Sequence, residues 1–407
     1  MAAMLSMKTP NNTPFAYHTE LEITIDNITN LGLGVGRHEG WVIMVPNVAI
    51  GERVRCRIFR NHCNYSEADL LEVLEPSPDR VEPRCPLFGL CGGCQYQHLK
   101  DETQRQLKRQ HVTELLQRLA GIEFPVEPTC CTPHTYHYRS KLTPHYDKAV
   151  SKIGFLKIGS RSALVDISRC PIATEHINQR LSILRSETRV QTHKRGGTLL
   201  LRDTPEGVVT NPQTVVTQVI GDKSFRVYAG EFFQNNPYIL PQFVDYITHE
   251  AAGKGIDSLI DAYCGVGVFG ICGHTLFQNV LGVEINARAI ALAEDNAALN
   301  HTDNIRFIAN SAEQIFHNTL FTPQTTAVII DPPRKGCDTT FLEQLLEYAP
   351  QRIVYVSCAP DTQARDLKIL LAHHYQVQRV QPFDLFPQTR HIENVITLDR
   401  VADGFFE

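Results

Sequence analysis

Tyr355-Val-Ser-Cys358-Ala-Pro360-Asp361-Thr-Gln-Ala-Arg365-Asp366-Leu367 is the stretch whose reading decides the fold. The apolar run leading into it, Arg352-Ile-Val-Tyr-Val356, is unbroken, as in a strand buried on both faces of a parallel sheet. Ser357-Cys358-Ala-Pro360 is too polar and too Pro-interrupted to extend that strand. A helix is predicted from Asp361, with an acidic residue where the helix dipole favours one. Cys358 therefore belongs just past the carboxyl end of a strand, where open α/β sheets place their chemistry. Near a helix N-terminus its thiolate is expected to have a depressed pKa and to serve as a nucleophile. The plainer alternative is a small apolar residue filling the strand end, the commoner fate of a lone cysteine.

Upstream of this stretch, strands and helices alternate with the rhythm of a doubly wound sheet. Ser258-Leu-Ile-Asp261 runs into Ala-Tyr263-Cys264-Gly265-Val-Gly267-Val-Phe-Gly270, a glycine-rich turn between strand and helix. Val280-Leu-Gly-Val-Glu284 is a strand ending in a carboxylate, followed by a helix from Asn286 to Asn300 and a strand around Ile305. Thr326-Ala-Val-Ile-Ile-Asp331-Pro332-Pro333 is another buried strand with a carboxylate at its end. Gly265-x-Gly267-x-x-Gly270 with Glu284 fits a ribose-binding fingerprint that serves NAD and S-adenosylmethionine alike. The Asp-Pro-Pro strand end is a methyltransferase-like feature. Arg334 stands where amine-methylating enzymes carry an aromatic residue, which argues against an exocyclic amine as the target.

The chain has 407 residues, 43% of them apolar, and a net charge of -5. That length predicts two or three domains. No apolar run approaches membrane-spanning length. Residues Met1 to Pro14 show no signal-peptide core and are expected to form an extension of a cytoplasmic protein. Residues 101–205 hold 17 Lys and Arg against 10 Asp and Glu, so +7 lies there and about -12 elsewhere. A basic middle between acidic parts suggests a surface facing a polyanion, or simply a solvated basic face. Tyr138-Arg139-Ser140-Lys141 and Lys152-Ile-Gly-Phe155-Leu-Lys157 interleave aromatics with bases, as RNA-facing surfaces do.

Residues 16–75 read as a small all-β unit. Leu21-Glu-Ile-Thr-Ile alternates, Gly32, Gly34 and Gly36 mark a bend, and strands follow at Trp41, Arg53 and Leu70. Five short strands suit an OB-like barrel, a nucleic-acid module or a packing appendage. Next comes Cys85-x5-Cys91-x2-Cys94, with Cys170 in a later Cys-Pro. Twelve cysteines in a cytoplasmic chain are no disulfide set. Three clustered thiolates plus one distant Cys-Pro point to a [4Fe–4S] cluster ahead of zinc, with His98 a weaker candidate ligand.

Cys85/Cys91/Cys94/Cys170, Phe232-Phe-Gln234-x-Asn236, Asp261-x-Tyr263-Cys-Gly265, Asp331-Pro-Pro-Arg-Lys-Gly336, Val356-Ser-Cys358-x-Pro360 and Asp384-x-Phe386-Pro-x-Thr389-x-His391-x-Glu393 together resemble the RNA (uracil-5-)-methyltransferases. The resemblance spans roughly residues 16 to 400. It implies a TRAM domain over 16–75, a central iron–sulfur and RNA-binding domain over 76–235, and a class I (Rossmann-like) S-adenosylmethionine methyltransferase domain over 236–407. It implies Cys358 as the nucleophile that attacks C6 of uracil and Glu393 as the base that removes the C5 proton. It implies Gln234, Tyr263, Glu284 and Asp331 as the S-adenosyl-L-methionine site, and a target base flipped out of its stack. Barrel and cysteine set together point to the branch acting on 23S ribosomal RNA, with transfer RNA as the alternative. Neither a membrane nor DNA is an expected partner. A dehydrogenase would leave the Asp-Pro-Pro strand, Cys358 and Glu393 idle. A non-catalytic iron–sulfur RNA-binding protein would explain the cysteine set and the basic middle.

Overall fold

The computed structural model describes residues 13–147, 152–187, 197–310, 315–316 and 319–401. Most of the expected N-terminal extension lies outside them, as do parts of the basic middle. The chain divides into two compact units. One is Met1–Leu107 with Phe155–Val165 and Gln388–Arg390, and the other is Lys108–Gly154 with Asp166–Pro387 and His391–Glu407. No helix among the described residues is long and apolar enough to cross a membrane.

The first unit is built on a closed five-stranded barrel. Its strands are β1 (Glu20–Ile28), β2 (Leu33–His38), β3 (Trp41–Pro46), β4 (Arg53–Asn61) and β5 (Tyr65–Glu75), in the order β1-β2-β3-β5-β4. Alternation dictates the faces, as in β1, where Leu21, Ile23 and Ile25 point into the core while Glu22 reaches Arg53 and Arg55 outside. Of the expected glycine bend, Gly32 turns the chain in the left-handed region (φ 79°), whereas Gly34 and Gly36 lie within a strand. Gly36 pairs with Ile25 on β1, and a Cβ there would stand 2.5 Å from the Thr24 carbonyl. Glycine is used in β2 because a neighbouring backbone passes too close for any side chain. Helix α1 (Asp101–Leu115) follows, and Leu116–Ala120 continues it as a π-turn closed by Gly121 in the left-handed region.

Between residues 136 and 234 the described part of the second unit includes short antiparallel pieces, such as the hairpin Val215–Ile220 with Lys223–Tyr228, and helix α2 (Glu175–Ser186) capped by Thr174. The remainder forms a seven-stranded sheet. Its strands are β6 (Ser258–Ala262), β7 (Asn279–Glu284), β8 (Ile305–Ala309), β9 (Thr326–Ile330), β10 (Arg352–Ser357), β11 (Tyr375–Phe383) and β12 (Glu393–Arg400), ordered β8-β7-β6-β9-β10-β12-β11. The first five are parallel, and β12 enters antiparallel between β10 and β11. The helices are α3 (Leu240–Ala251), α4 (Val268–Gly273), α5 (Ala287–Leu299), α6 (Thr339–Tyr348) and α7 (Pro360–Leu371).

Every residue of β6 and β9 is buried, because alternate side chains enter two different cores. Leu259, Ala327, Ile329 and Val354 pack with Phe243 and Ile247 of α3. Ile260, Val328, Ile330 and Ile353 pack with Phe341 of α6 and Leu367 of α7. Two covered faces explain the unbroken apolar runs in the sequence.

One buried ion pair ties α1 to the segment that leads into β12. Lys108, fully buried, donates from Nζ to Asp384 Oδ1 at 2.6 Å and to the Phe386 carbonyl at 3.2 Å. Removing one partner of such a pair strands a charge in the core at a cost of ~3–5 kcal/mol. Lys108→Ala is therefore expected to lower the unfolding free energy by that amount, measured by urea denaturation followed by far-UV circular dichroism. A loss below about 1 kcal/mol would place the pair in solvent rather than in the core.

Candidate active site

Sheet register assembles the site. Ile330 of β9 pairs with Tyr355 of β10, and Ser357 of β10 pairs with Asn394 of β12. Asp331, Cys358 and Glu393 each flank those pairs, so residues far apart in sequence meet at one edge of the sheet. Gln363 on α7 locks this edge. Its Nε2 donates to the carbonyls of Tyr355 (2.9 Å) and Asn394 (3.2 Å), and its Oε1 accepts from Asn394 Nδ2 at 2.8 Å.

Beside this edge lies a cleft with about 560 Å³ of empty space including its mouth, lined by Phe232, Phe233, Gln234, Tyr263, Gly265 and Asp331 among others. Tyr263 is held in the left-handed region (φ 64°), a strained backbone for a residue with a side chain. Gly267 (φ 86°) opens α4, where a Cβ would stand 2.8 Å from the Phe307 ring. The Gly270 N–H donates to Asp261 Oδ2 at 3.0 Å, and the Gly265 N–H to Glu284 Oε2 at 3.3 Å. Glu284 Oε1 accepts from the Asn286 N–H at 2.9 Å, so two main-chain donors fix its carboxylate at the end of β7.

The electrostatics run against the expectation of a depressed thiol pKa. Burial first, then the charges of Glu393 and Asp331, push Cys358 up to about 11, against an opposing pull from Arg334. The sequence argument considered the end of α7 and overlooked the enclosure and two nearby acids. Glu393, 4% exposed, is itself raised well above the usual carboxylate range by burial and by Asp331. Burial pushes Asp331 up to about 7, and Asp261, fully buried near Asp331 and Glu284, to about 7 as well.

S-adenosylmethionine, the group that the resemblance implies, fits these residues. Gln234 Oε1 is buried at the cleft wall without a hydrogen-bond partner, so a ligand donor has an acceptor waiting there. Glu284 is a fixed carboxylate for a ribose diol, and the apolar lining suits a purine. The iron–sulfur expectation finds no such support. Cys85 lies close enough to Cys91 to oppose its ionisation, and the main-chain N–H and carbonyl of Cys170 exchange hydrogen bonds with the Asn178 side chain of α2. Among the described residues no group of three or more His, Cys, Asp or Glu side chains is arranged as a metal site. His98 Nε2 lies 2.9 Å from the Val48 carbonyl inside the first unit.

Sequence reasoning also passed over groups that shape the site. Arg334, noted only for replacing an aromatic, acts on both Cys358 and Glu393. Its contact with His391 at 2.9 Å joins residues 57 positions apart, a separation no local pattern reveals.

Residues 208–401 match the family described as tRNA (Uracil-5-)-methyltransferase, and residues 18–71 match the TRAM domain. The tRNA (uracil(54)-C(5))-methyltransferase of Schizosaccharomyces pombe is 39% identical over 96% of this chain and 80% of its own length. The Saccharomyces cerevisiae enzyme of the same description is 33% identical over 98% of this chain and 77% of its own. The crystal structure of Pyrococcus abyssi tRNA (uracil-54, C5)-methyltransferase with S-adenosyl-L-homocysteine superposes with a TM-score of 0.73. It is 25% identical and covers 93% of this chain and 99% of its own.

The raised carboxylates fix a pH dependence. Because the folded protein holds Asp331 protonated up to about 7, against 3.8 ordinarily, it binds the extra proton between those values. The stability linked to that proton is full below pH 3.8 and is lost as pH rises through about 7. Asp331→Asn keeps the shape without the charge. Its stability is expected to exceed the wild type's by about 1–4 kcal/mol at pH 8, the gap closing towards pH 4, read from denaturation midpoints across that range. A gap independent of pH would show that Asp331 is not the titrating group.

Proposed function

This chain belongs to the tRNA (uracil-5-)-methyltransferase family, and from that premise we propose that it methylates C5 of a uridine in transfer RNA, with Cys358 as nucleophile and Glu393 as base. The observation that carries the proposal is the meeting of Cys358, Glu393 and Asp331 at one sheet edge, beside a cleft lined by Gln234, Tyr263 and Gly265. Transfer RNA replaces ribosomal RNA as the favoured substrate. Relatives described as acting on uracil 54 of transfer RNA align with nearly the whole chain, barrel included, which supports position 54 as the target.

C5 of uracil is a poor nucleophile, so the chain's part is to activate it. The thiol of Cys358 loses its proton to solvent, the Arg334 charge favouring the thiolate, and its sulfur adds to C6, leaving enolate density at C5. S-adenosylmethionine, when bound, supplies the methyl group that C5 takes. Glu393, ionised, removes the C5 proton, the double bond re-forms and the C6–S bond breaks, returning Cys358. Gln234, Tyr263, Glu284 and Asp331 hold the donor, and the excess of seven positive charges over residues 101–205 supports RNA as the partner.

The two ends of the reaction separate by mutation. Cys358→Ala is expected to abolish methylation and to form no covalent adduct. Glu393→Gln is expected to slow turnover by about 10²–10⁴ while accumulating a denaturation-resistant protein–RNA adduct that already carries the methyl group. The assay is labelled methyl transfer into transfer RNA, with adducts on denaturing gels and wild type on 5-fluorouridine RNA as reference. An adduct formed by Cys358→Ala would assign the attack to another cysteine.

The Cys85-x5-Cys91-x2-Cys94 spacing with Cys170 supports a [4Fe–4S] cluster of structural role. Protein purified without oxygen is then expected to be brown and to hold iron and sulfide in near-equal amounts. Stoichiometric zinc without sulfide would overturn the cluster and leave the methyl-transfer proposal standing.

A further inference from the structure

Arg334 is fastened along its whole length. Its carbonyl accepts a hydrogen bond from Thr362 Oγ1 on α7 at 3.2 Å, and the next carbonyl, of Lys335, accepts from Arg365 Nη2 at 3.0 Å. At its far end Nη2 donates to His391 Nδ1 at 2.9 Å. Between these anchors the guanidinium lies near enough to Cys358 and Glu393 for its charge to act on both. A guanidinium has donors only, so His391 Nδ1 must be the acceptor, which makes the ring neutral with its proton on Nε2. The ring is itself confined, edge-on to Phe386 with centroids 6.2 Å apart, and the Arg139 guanidinium lies over the Phe386 ring, 6.0 Å from its centroid.

We propose that His391 is a positioning residue for the nucleophile, its neutral ring holding the Arg334 guanidinium on the Cys358 sulfur. This rests on the reading of Cys358 as the nucleophile. Of the charged groups acting on Cys358, Glu393 and Asp331 oppose its ionisation and Arg334 favours it. A long arginine side chain carries about 2 kcal/mol of rotamer entropy. Released from His391, it is free to leave the sulfur for solvent or for either carboxylate. Protonating His391 removes the acceptor and sets a second cation against the guanidinium, so the device works only while the ring is neutral.

The experiment reads the thiolate directly, by mass-spectrometric iodoacetamide labelling of Cys358 against pH in the full chain without RNA or cofactor. His391→Asn keeps an acceptor near the Nδ1 place, His391→Gln moves it to the Nε2 place, and His391→Phe removes it. His391→Asn is expected to follow wild type within about twofold. The other two, and Arg334→Gln, are expected to shift the labelling midpoint up by about one unit, tenfold less thiolate at a fixed lower pH. They are also expected to slow adduct formation on 5-fluorouridine RNA to a similar degree, with S-adenosylmethionine affinity unchanged. If the phenylalanine variant does not fold, the asparagine and glutamine pair decides. Unshifted profiles in His391→Gln or Arg334→Gln overturn the proposal. A chain that methylates no uridine would sink the functional reading but leave this labelling result intact.

Discussion

The fold's chemistry depends on one side-chain amide. Gln363, buried on α7, spans the ends of β10 and β12 and satisfies both of its polar atoms there. A strand inserted antiparallel between two others has no crossover helix to set its position. The pleat repeats every two residues, so a slip of one would turn Glu393 to the opposite face. Gln363 and Asn394 read that register by hydrogen bonding, and a buried amide left unpaired by a slip costs more than the bonds it makes. The proximity of Cys358 and Glu393 is thus a property of register rather than of either residue's local sequence.

Charge is the second constraint. Asp261, Glu284, Asp331 and Glu393 crowd one end of the sheet, and three of them have raised pKa values. The methyl donor of this family carries a permanent positive charge on sulfur. A cation entering the cleft favours the ionised form of each acid around it, by the same linkage that makes the acids favour the cation. Donor binding therefore readies Glu393 for the proton it is proposed to take. The acids that suit the cation also oppose ionisation of Cys358, which is why a guanidinium fixed at the sulfur matters here.

The alternating architecture was legible because two-faced burial writes itself as apolar runs, and strand-end carboxylates follow such runs directly. Cys358 was legible as a strand-end residue, and Glu393 only through its motif. The thiol's electrostatics were not legible, since helix ends are local while the enclosing acids come from β9 and β12. β2 was misread as a bend because glycines forced by a close backbone look the same as glycines forced by a turn. Lys108 and Asp384 meet across 276 positions, and neither residue type alone announces burial. The choice between two RNA classes lay beyond the barrel and the cysteine spacing, because neither feature contacts the base that is modified in any way the sequence displays.

A thiol with a pKa near 11 is ionised at neutral pH to only about one part in ten thousand. Peroxides and cellular electrophiles attack thiolates, not thiols. The resting protein thus keeps its reactive sulfur chemically silent, and the same enclosure that slows its activation shields it from sulfenylation and glutathione capping. If Cys358 is the nucleophile as proposed, oxidative stress therefore has little thiolate to act on between turnovers.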